Sequence, residues 1–168
     1  MYQWVVFVHI LAAIVWIGGM LFLALVLVPT LRGESPQVRA AMMSAVGRRF
    51  RTVGWLMILI LLGTGVWNLH NRRFGWSTIF SRDLFRGPFG HVLAVKLAVI
   101  GVILALSAYH DFVLGPVSTR AGQVAEQGGD RRRAERLRRT ASWIGRANAL
   151  LVLVVIWLAV ALVRGLPW

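Results

Sequence analysis

Four long apolar stretches alternate with arginine-rich ones along this chain, and that alternation decides most of what it can fold into. The apolar stretches run roughly over residues 5–28, 52–69, 90–109 and 147–163. Each approaches the ~20 residues that an α-helix needs to cross a ~30 Å hydrocarbon core. Lipid offers the backbone no hydrogen bonds, so a spanning segment must satisfy its own, and a helix does so. The fold class expected is all-α: an integral membrane four-helix bundle forming a single four-span domain over 1–168. Its helices are placed at about 5–28, 36–69, 90–110 and 131–163. A chain of 168 residues that is 58% hydrophobic, with mean hydropathy +0.69, is too apolar for an ordinary soluble domain.

Two helix starts are written into the connecting segments. In "GESPQV", Ser35 is placed to cap and Pro36 to open a helix. In "EQGGDRRR", Gly128 and Gly129 turn the chain and Asp130 caps. Helices 2 and 4 are therefore expected to start before their apolar parts, extended into the cytoplasm. The connection "NRRFGWSTIFSRDLFRGPFG" carries Phe74, Trp76, Ile79, Phe80, Leu84 and Phe85 among charges, a mixture suited to the membrane interface. The N-terminus lacks the basic segment of a cleavable signal, and its apolar run is too long for one.

The net charge of +13 is arranged for topology. The first connection holds Arg32, Arg39, Arg48, Arg49 and Arg51. The third holds Arg120, Arg131, Arg132, Arg133, Arg136, Arg138 and Arg139. Against these twelve stand five at the other end: Arg72, Arg73, Arg82, Arg86 and Arg164. The positive-inside rule then places connections one and three in the cytoplasm and both termini outside, N-out/C-out in a prokaryotic-type inner membrane. Anionic lipid at the cytoplasmic face is the expected partner of these arginines, and no nucleic acid. A homo-oligomer or a quinone or other redox partner is compatible with the sequence. Absence of cysteine excludes disulfides, thiolate metal sites and cysteine nucleophiles.

Ionisable residues inside spanning helices are costly and mark function. The single lysine, Lys96, lies inside "GHVLAVKLAVIGV", and His9 is the sole strongly polar group between Trp4 and Thr30. At 1.5 Å per residue, His9 lies ~6–10 Å below the outer surface and Lys96 ~10 Å below it, so the two are expected at similar depth. His91 is shallower on the same helix, and His70 sits at the outer exit of helix 2. His110, next to Asp111, belongs to the cytoplasmic end and reads as a helix-end polar pair. His9, Ala13, Trp16 and Met20 share one helical face. Gly18–Gly19 and Gly63–Thr64–Gly65 leave room for a neighbouring helix or a flat ligand. His70 and His91 read equally as interfacial side chains, Lys96 as a cation that reaches outward, and Trp16 and Met20 as packing residues.

Imidazole suits iron, copper, zinc and nickel alike. With neither thiolate nor an intramembrane carboxylate, two readings stand. The first is a b-type haem near the outer face, supporting redox or diatomic-gas (oxygen or nitric oxide) chemistry. His9 is then an axial ligand, Lys96, His91 or His70 a second one, and Trp16, Gly63 and Gly65 line the cofactor. On that reading a haem-dependent oxidoreductase is the enzyme class, though the residues leave open whether the chain is an enzyme. The alternative is copper binding or transport, with His9, His70 and His91 as candidate metal ligands and a methionine such as Met20 in support.

The segments "VHILAAIVWIGGMLF", "RRFRTVGWLMILILLGTGVW", "HVLAVKLAVIGVILALSAYH" and "ALLVLVVIWLAVALVRG" resemble the copper-resistance D (CopD) membrane domain over nearly the whole chain. The motifs that carry the resemblance are His-x6-Trp-x-Gly-Gly, Arg-Arg-Phe, Thr-Gly and Lys-Leu. The domain is distantly similar to the HemJ-type protoporphyrinogen oxidases, a family built on a helix-1 His and a helix-3 Lys in a small haem-b bundle. By motif these roles carry to His9 and Lys96. The resemblance thus implies either copper handling or haem b.

Overall fold

The computed structural model describes residues 2–71, 74–79 and 81–164. Arg72, Arg73 and Phe80, which entered the charge count and the interfacial reading above, lie outside them. Four long helices dominate: α1 (Tyr2–Gly33), α2 (Pro36–Asn71), α3 (Gly87–Glu126) and α4 (Arg131–Arg164). Each is long and apolar enough to cross a membrane, and no strand occurs among the described residues. The all-α, four-span architecture read from the sequence is the one observed.

Both cap signals act as expected. The Val38 amide donates to Ser35 Oγ at 3.3 Å, and the Arg133 amide donates to Asp130 Oδ1 at 3.0 Å. Gly128 takes a positive φ of 94° in the turn between α3 and α4, a conformation glycine adopts without strain. The 71–87 connection contains a short helix Trp76–Ile79 and a 3₁₀ turn Arg82–Phe85. Ser81 Oγ caps that turn by accepting from the Asp83 amide at 3.1 Å. At Arg131–Arg164 the exposed Glu135 pairs with Arg139 one turn on at 2.6 Å.

Helix α3 continues beyond the expected end near residue 110, through Gly115 and Pro116, to Glu126. Proline lacks an N–H and crowds the carbonyl four residues back. The chain answers with a π-helical turn at Tyr109–Leu114, in which the Gly115 amide donates to the His110 carbonyl. Helix α1 makes the same adjustment at Leu23–Leu27 before Pro29, where the Val28 amide donates to the Leu23 carbonyl. Such wide turns let a helix pass a proline without ending.

The helices form two antiparallel hairpins, α1 with α2 and α3 with α4, and the hairpins meet chiefly where α1 touches α4. One apolar layer draws a residue from every span: Trp16, Ile58, Ile103 and Val152. Ile103 and Val152 are each 1% exposed. Met20, Phe50, Trp55 and Leu151 pack against this layer. Gly19 admits the Phe50 ring, since a Cβ there would overlap it. Large apolar side chains elsewhere point outward, among them Trp4, Leu25 and Leu150. Lipid is the solvent that makes such a surface stable.

Candidate functional site

The polar groups fall at two levels, one on each side of the apolar layer. The first level lies toward the end that carries both termini, and His9 is its centre. His9 Nδ1 and Thr64 Oγ1 are 2.7 Å apart. The single hydroxyl proton of Thr64 is committed elsewhere, because Thr64 Oγ1 donates to the Ile60 carbonyl at 2.6 Å. With that donation Thr64 accepts from His9, and the proton between them is carried on His9 Nδ1. The neutral ring is left with its lone pair on Nε2. This is the arrangement by which a neighbouring group orients an imidazole for a metal.

The surroundings of His9 explain parts of the local sequence. A Cβ on Gly65 would stand 3.7 Å from His9 Cε1, so Gly65 lies against the ring. Gly63 does not: it is exposed, and a Cβ there would meet nothing within 4 Å. Lys96 is half-buried on α3. Asn68 stands one turn beyond Thr64, and its Oδ1 is buried without a hydrogen-bond partner among the described residues. The same is true of His70 Nδ1. The His70 ring stacks on Trp76 at 4.5 Å and an interplanar angle of 18°. His91 is exposed in the early turns of α3.

Trp16 belongs to the apolar layer, about two turns and ~10 Å along α1 from His9. It packs against Gly54, where a Cβ would lie 3.5 Å from Trp16 Cδ1. Met20 lies a further turn away, in the packing around that layer. Among the described residues no group of three His, Asp or Glu side chains stands ready to hold a metal. What the first level presents is a series of single donors: His70 nearest the helix end, Asn68 below it and His9 deepest.

The second level lies toward the arginine-rich end. Asn148, 5% exposed, donates through Nδ2 to Ser107 Oγ at 2.9 Å, and its Oδ1 has no partner among the described residues. Asp111 accepts twice, from Trp55 Nε1 at 3.1 Å and from His110 Nδ1 at 3.1 Å. The pair read from sequence as a local His110–Asp111 contact is therefore tied to α2 through Trp55. Trp55 also packs on Phe112 at 5.6 Å, and the Arg51 guanidinium lies 5.9 Å from the Phe112 ring centre. Arg51 Nε is buried without a hydrogen-bond partner among the described residues.

Sequence reasoning missed Thr64 as the partner of His9, although a depth count could have found it. Thr64 is seven residues from the end of α2 and His9 seven from the start of α1, and those two ends adjoin. Asn148 and Ser107 were likewise legible as the polar residues at matching depth near the other end.

Comparison with known proteins agrees with the motifs. The copper resistance protein D family profile matches residues 44–162. An uncharacterized protein of Aquifex aeolicus (strain VF5) is 31% identical over 160 residues, covering 95% of this chain and 93% of its own length. No solved structure matches. The chain is a multi-pass membrane protein that belongs to the copper resistance protein D family.

Proposed function

We propose that this protein binds copper at the end carrying its termini and passes it into the bundle, with His9 as the principal ligand. Family membership favours copper over the haem b expectation. The observation that supports His9 is the hydrogen bond to Thr64, which leaves Nε2 unprotonated. Cuprous ion accepts imidazole donors. The buried Oδ1 of Asn68, one turn from Thr64 on the same face of α2, suits an earlier position on that route. Copper is cargo on this reading, so single donors in series suit it better than a closed cage. Lys96, as an ammonium, opposes a cation at His9 and keeps the deeper position from trapping it.

The arginine count supports an orientation in which the termini and His9 face outward in an inner membrane, with the arginine-rich ends of α2, α3 and α4 against anionic cytoplasmic lipid. Redox or gas chemistry on haem b remains the reading to exclude. The purified protein, titrated with Cu(I) against a chromophoric chelator, is expected to be colourless and to bind copper stoichiometrically. A Soret band in the protein as purified, with no copper uptake from the chelator, would replace copper by haem.

A further inference from the structure

Arg51 is the last charged residue before the apolar part of α2, and it differs from the arginines around it. Arg48, Arg49 and the arginines that open α4 are exposed, whereas Arg51 is half-buried. Its side chain lies across to α3. The guanidinium carbon is 5.9 Å from the Phe112 ring centre, and a Cβ on Gly115 would stand 3.8 Å from a terminal nitrogen. Among the described residues Arg51 makes no ion pair, and its Nε is buried without a hydrogen-bond partner. Asp111, one turn before Gly115, gives its oxygens to Trp55 and His110 instead. A guanidinium has five donors and no acceptor. A cation laid down on a helix seam with its stem covered and its charge unpaired is prepared for an anion.

The ring beneath this cation faces outward. Phe112 is 60% exposed, and Tyr109, about one turn toward the membrane interior, is 48% exposed. Arg51 thus stands at the head of an apolar strip on the lipid-facing surface. On α4, Arg146 lies 5.2 Å from the Trp143 ring centre, a pairing of charge and aromatic ring that suits the headgroup boundary. From this placement we infer that an acidic phospholipid is held on the α2–α3 seam, with its phosphate on the terminal nitrogens of Arg51 and an acyl chain along Phe112 and Tyr109. The chemistry identifies the occupant. A free phosphate would answer the charge and leave the aromatic strip bare, and a hydrocarbon tail alone would do the reverse. The planar guanidinium meets two phosphate oxygens at once. An acidic headgroup brings no cation of its own to oppose Arg51, Arg48 and Arg49. The hairpins meet chiefly through α1 and α4, so a lipid on the α2–α3 side clamps them across from that contact. This inference takes from the proposed function only the placement of the arginine-rich end among lipid headgroups, and nothing about copper.

The test uses the full chain in detergent, titrated with phosphatidylglycerol or phosphatidylcholine, with bound lipid counted by native mass spectrometry. The unaltered protein should retain phosphatidylglycerol in preference to phosphatidylcholine. Arg51→Gln should weaken phosphatidylglycerol binding by about tenfold or more, the size of one charge-assisted contact. Arg49→Gln removes the same charge from an exposed position two residues away and should bind as the unaltered protein does. Arg51→Lys, which keeps the charge without the fork, should fall between them. Thermal midpoints separate loss of binding from loss of fold. Phosphatidylglycerol should raise the midpoint of the unaltered protein by about 5 °C over phosphatidylcholine. Arg51→Gln should match the unaltered protein in phosphatidylcholine and lack that rise, and glycerol 3-phosphate should not produce it. Equal losses in Arg49→Gln and Arg51→Gln would reduce the effect to general charge and overturn the site. Equal retention of the two lipids, or a full rise with glycerol 3-phosphate, overturns the acidic lipid as occupant. An Arg51→Gln protein that melts early in both lipids overturns it too, because Arg51 then serves the fold itself. These readouts are made in detergent, so a reversed orientation in the membrane, or a failure to bind copper, leaves them standing.

Discussion

The two ends of the bundle solve the problem of a polar group in lipid differently. At the end carrying the termini, His9 spends one nitrogen on Thr64 and keeps the other free. At the arginine-rich end, Asp111 receives both Trp55 and His110, so the acid is satisfied within the protein. The first arrangement holds a donor ready for something from outside. The second ties α2 to α3, and among the described residues Asn148 Oδ1 is buried there without a hydrogen-bond partner. An ionisable residue in a membrane is thus not one kind of signal: its meaning depends on whether its neighbours exhaust its hydrogen bonds.

That contrast breaks most visibly if the ligand itself is removed. His9→Ala should weaken Cu(I) binding by more than ~100-fold, since even the partners of ligands typically govern 10–100-fold. His110→Ala, at the other end, should leave affinity near that of the unaltered protein. Equal losses in the two variants, read by chelator competition, would erase the distinction between the ends. Next in size is the group that orients His9. Thr64→Val keeps the shape and removes the acceptor, and should lower affinity roughly 10–100-fold, whereas Thr64→Ser should restore it. A Val variant indistinguishable from wild type would show that the ring needs no such restraint.

Lys96 sharpens the comparison in the opposite direction. If its charge opposes copper at His9, Lys96→Leu should raise affinity by about tenfold, a size expected of one nearby charge in a partly screened site. A fall in affinity would mean that the amine is a ligand. The smallest effect belongs outside the membrane part. Arg139 hydrogen-bonds the exposed Glu135 and holds its carboxyl below the usual range. A lowered folded pKa means stabilisation that is present above the unfolded value and lost as pH falls through the carboxylate range. Because the pair is exposed, Glu135→Gln should leave the thermal midpoint at neutral pH unchanged within the scatter of replicates. A clear drop would give the arginine-rich hairpin a structural weight that its exposure does not suggest.

Much of this was legible in the residues, and what was not has identifiable causes. Apolar length gave the four spans, and Ser35 and Asp130 gave two helix starts. Depth counting placed His9 and Lys96 at similar expected depths. The continuation of α3 to Glu126 was hidden because Gly115–Pro116 reads as a stop, whereas a π-helical turn absorbs the proline. Gly63 and Gly65 looked equivalent in sequence. Two residues along a helix rotate about 200°, so one faces His9 and the other faces away. Trp16 shared a face with His9 but not a level, and it became core. Periodicity reports the face, and only a count from both ends reports the depth.

The central claim is that His9 carries its proton on Nδ1 and offers Nε2 to copper. It is tested most directly by ¹⁵N NMR of histidine-labelled protein in nanodiscs, titrated with Cu(I) under ascorbate. The account predicts a protonated Nδ1 and an unprotonated Nε2 for His9 before addition, and a selective shift of Nε2 at one equivalent. An unprotonated Nδ1, or a His9 pair unmoved by copper, would contradict it.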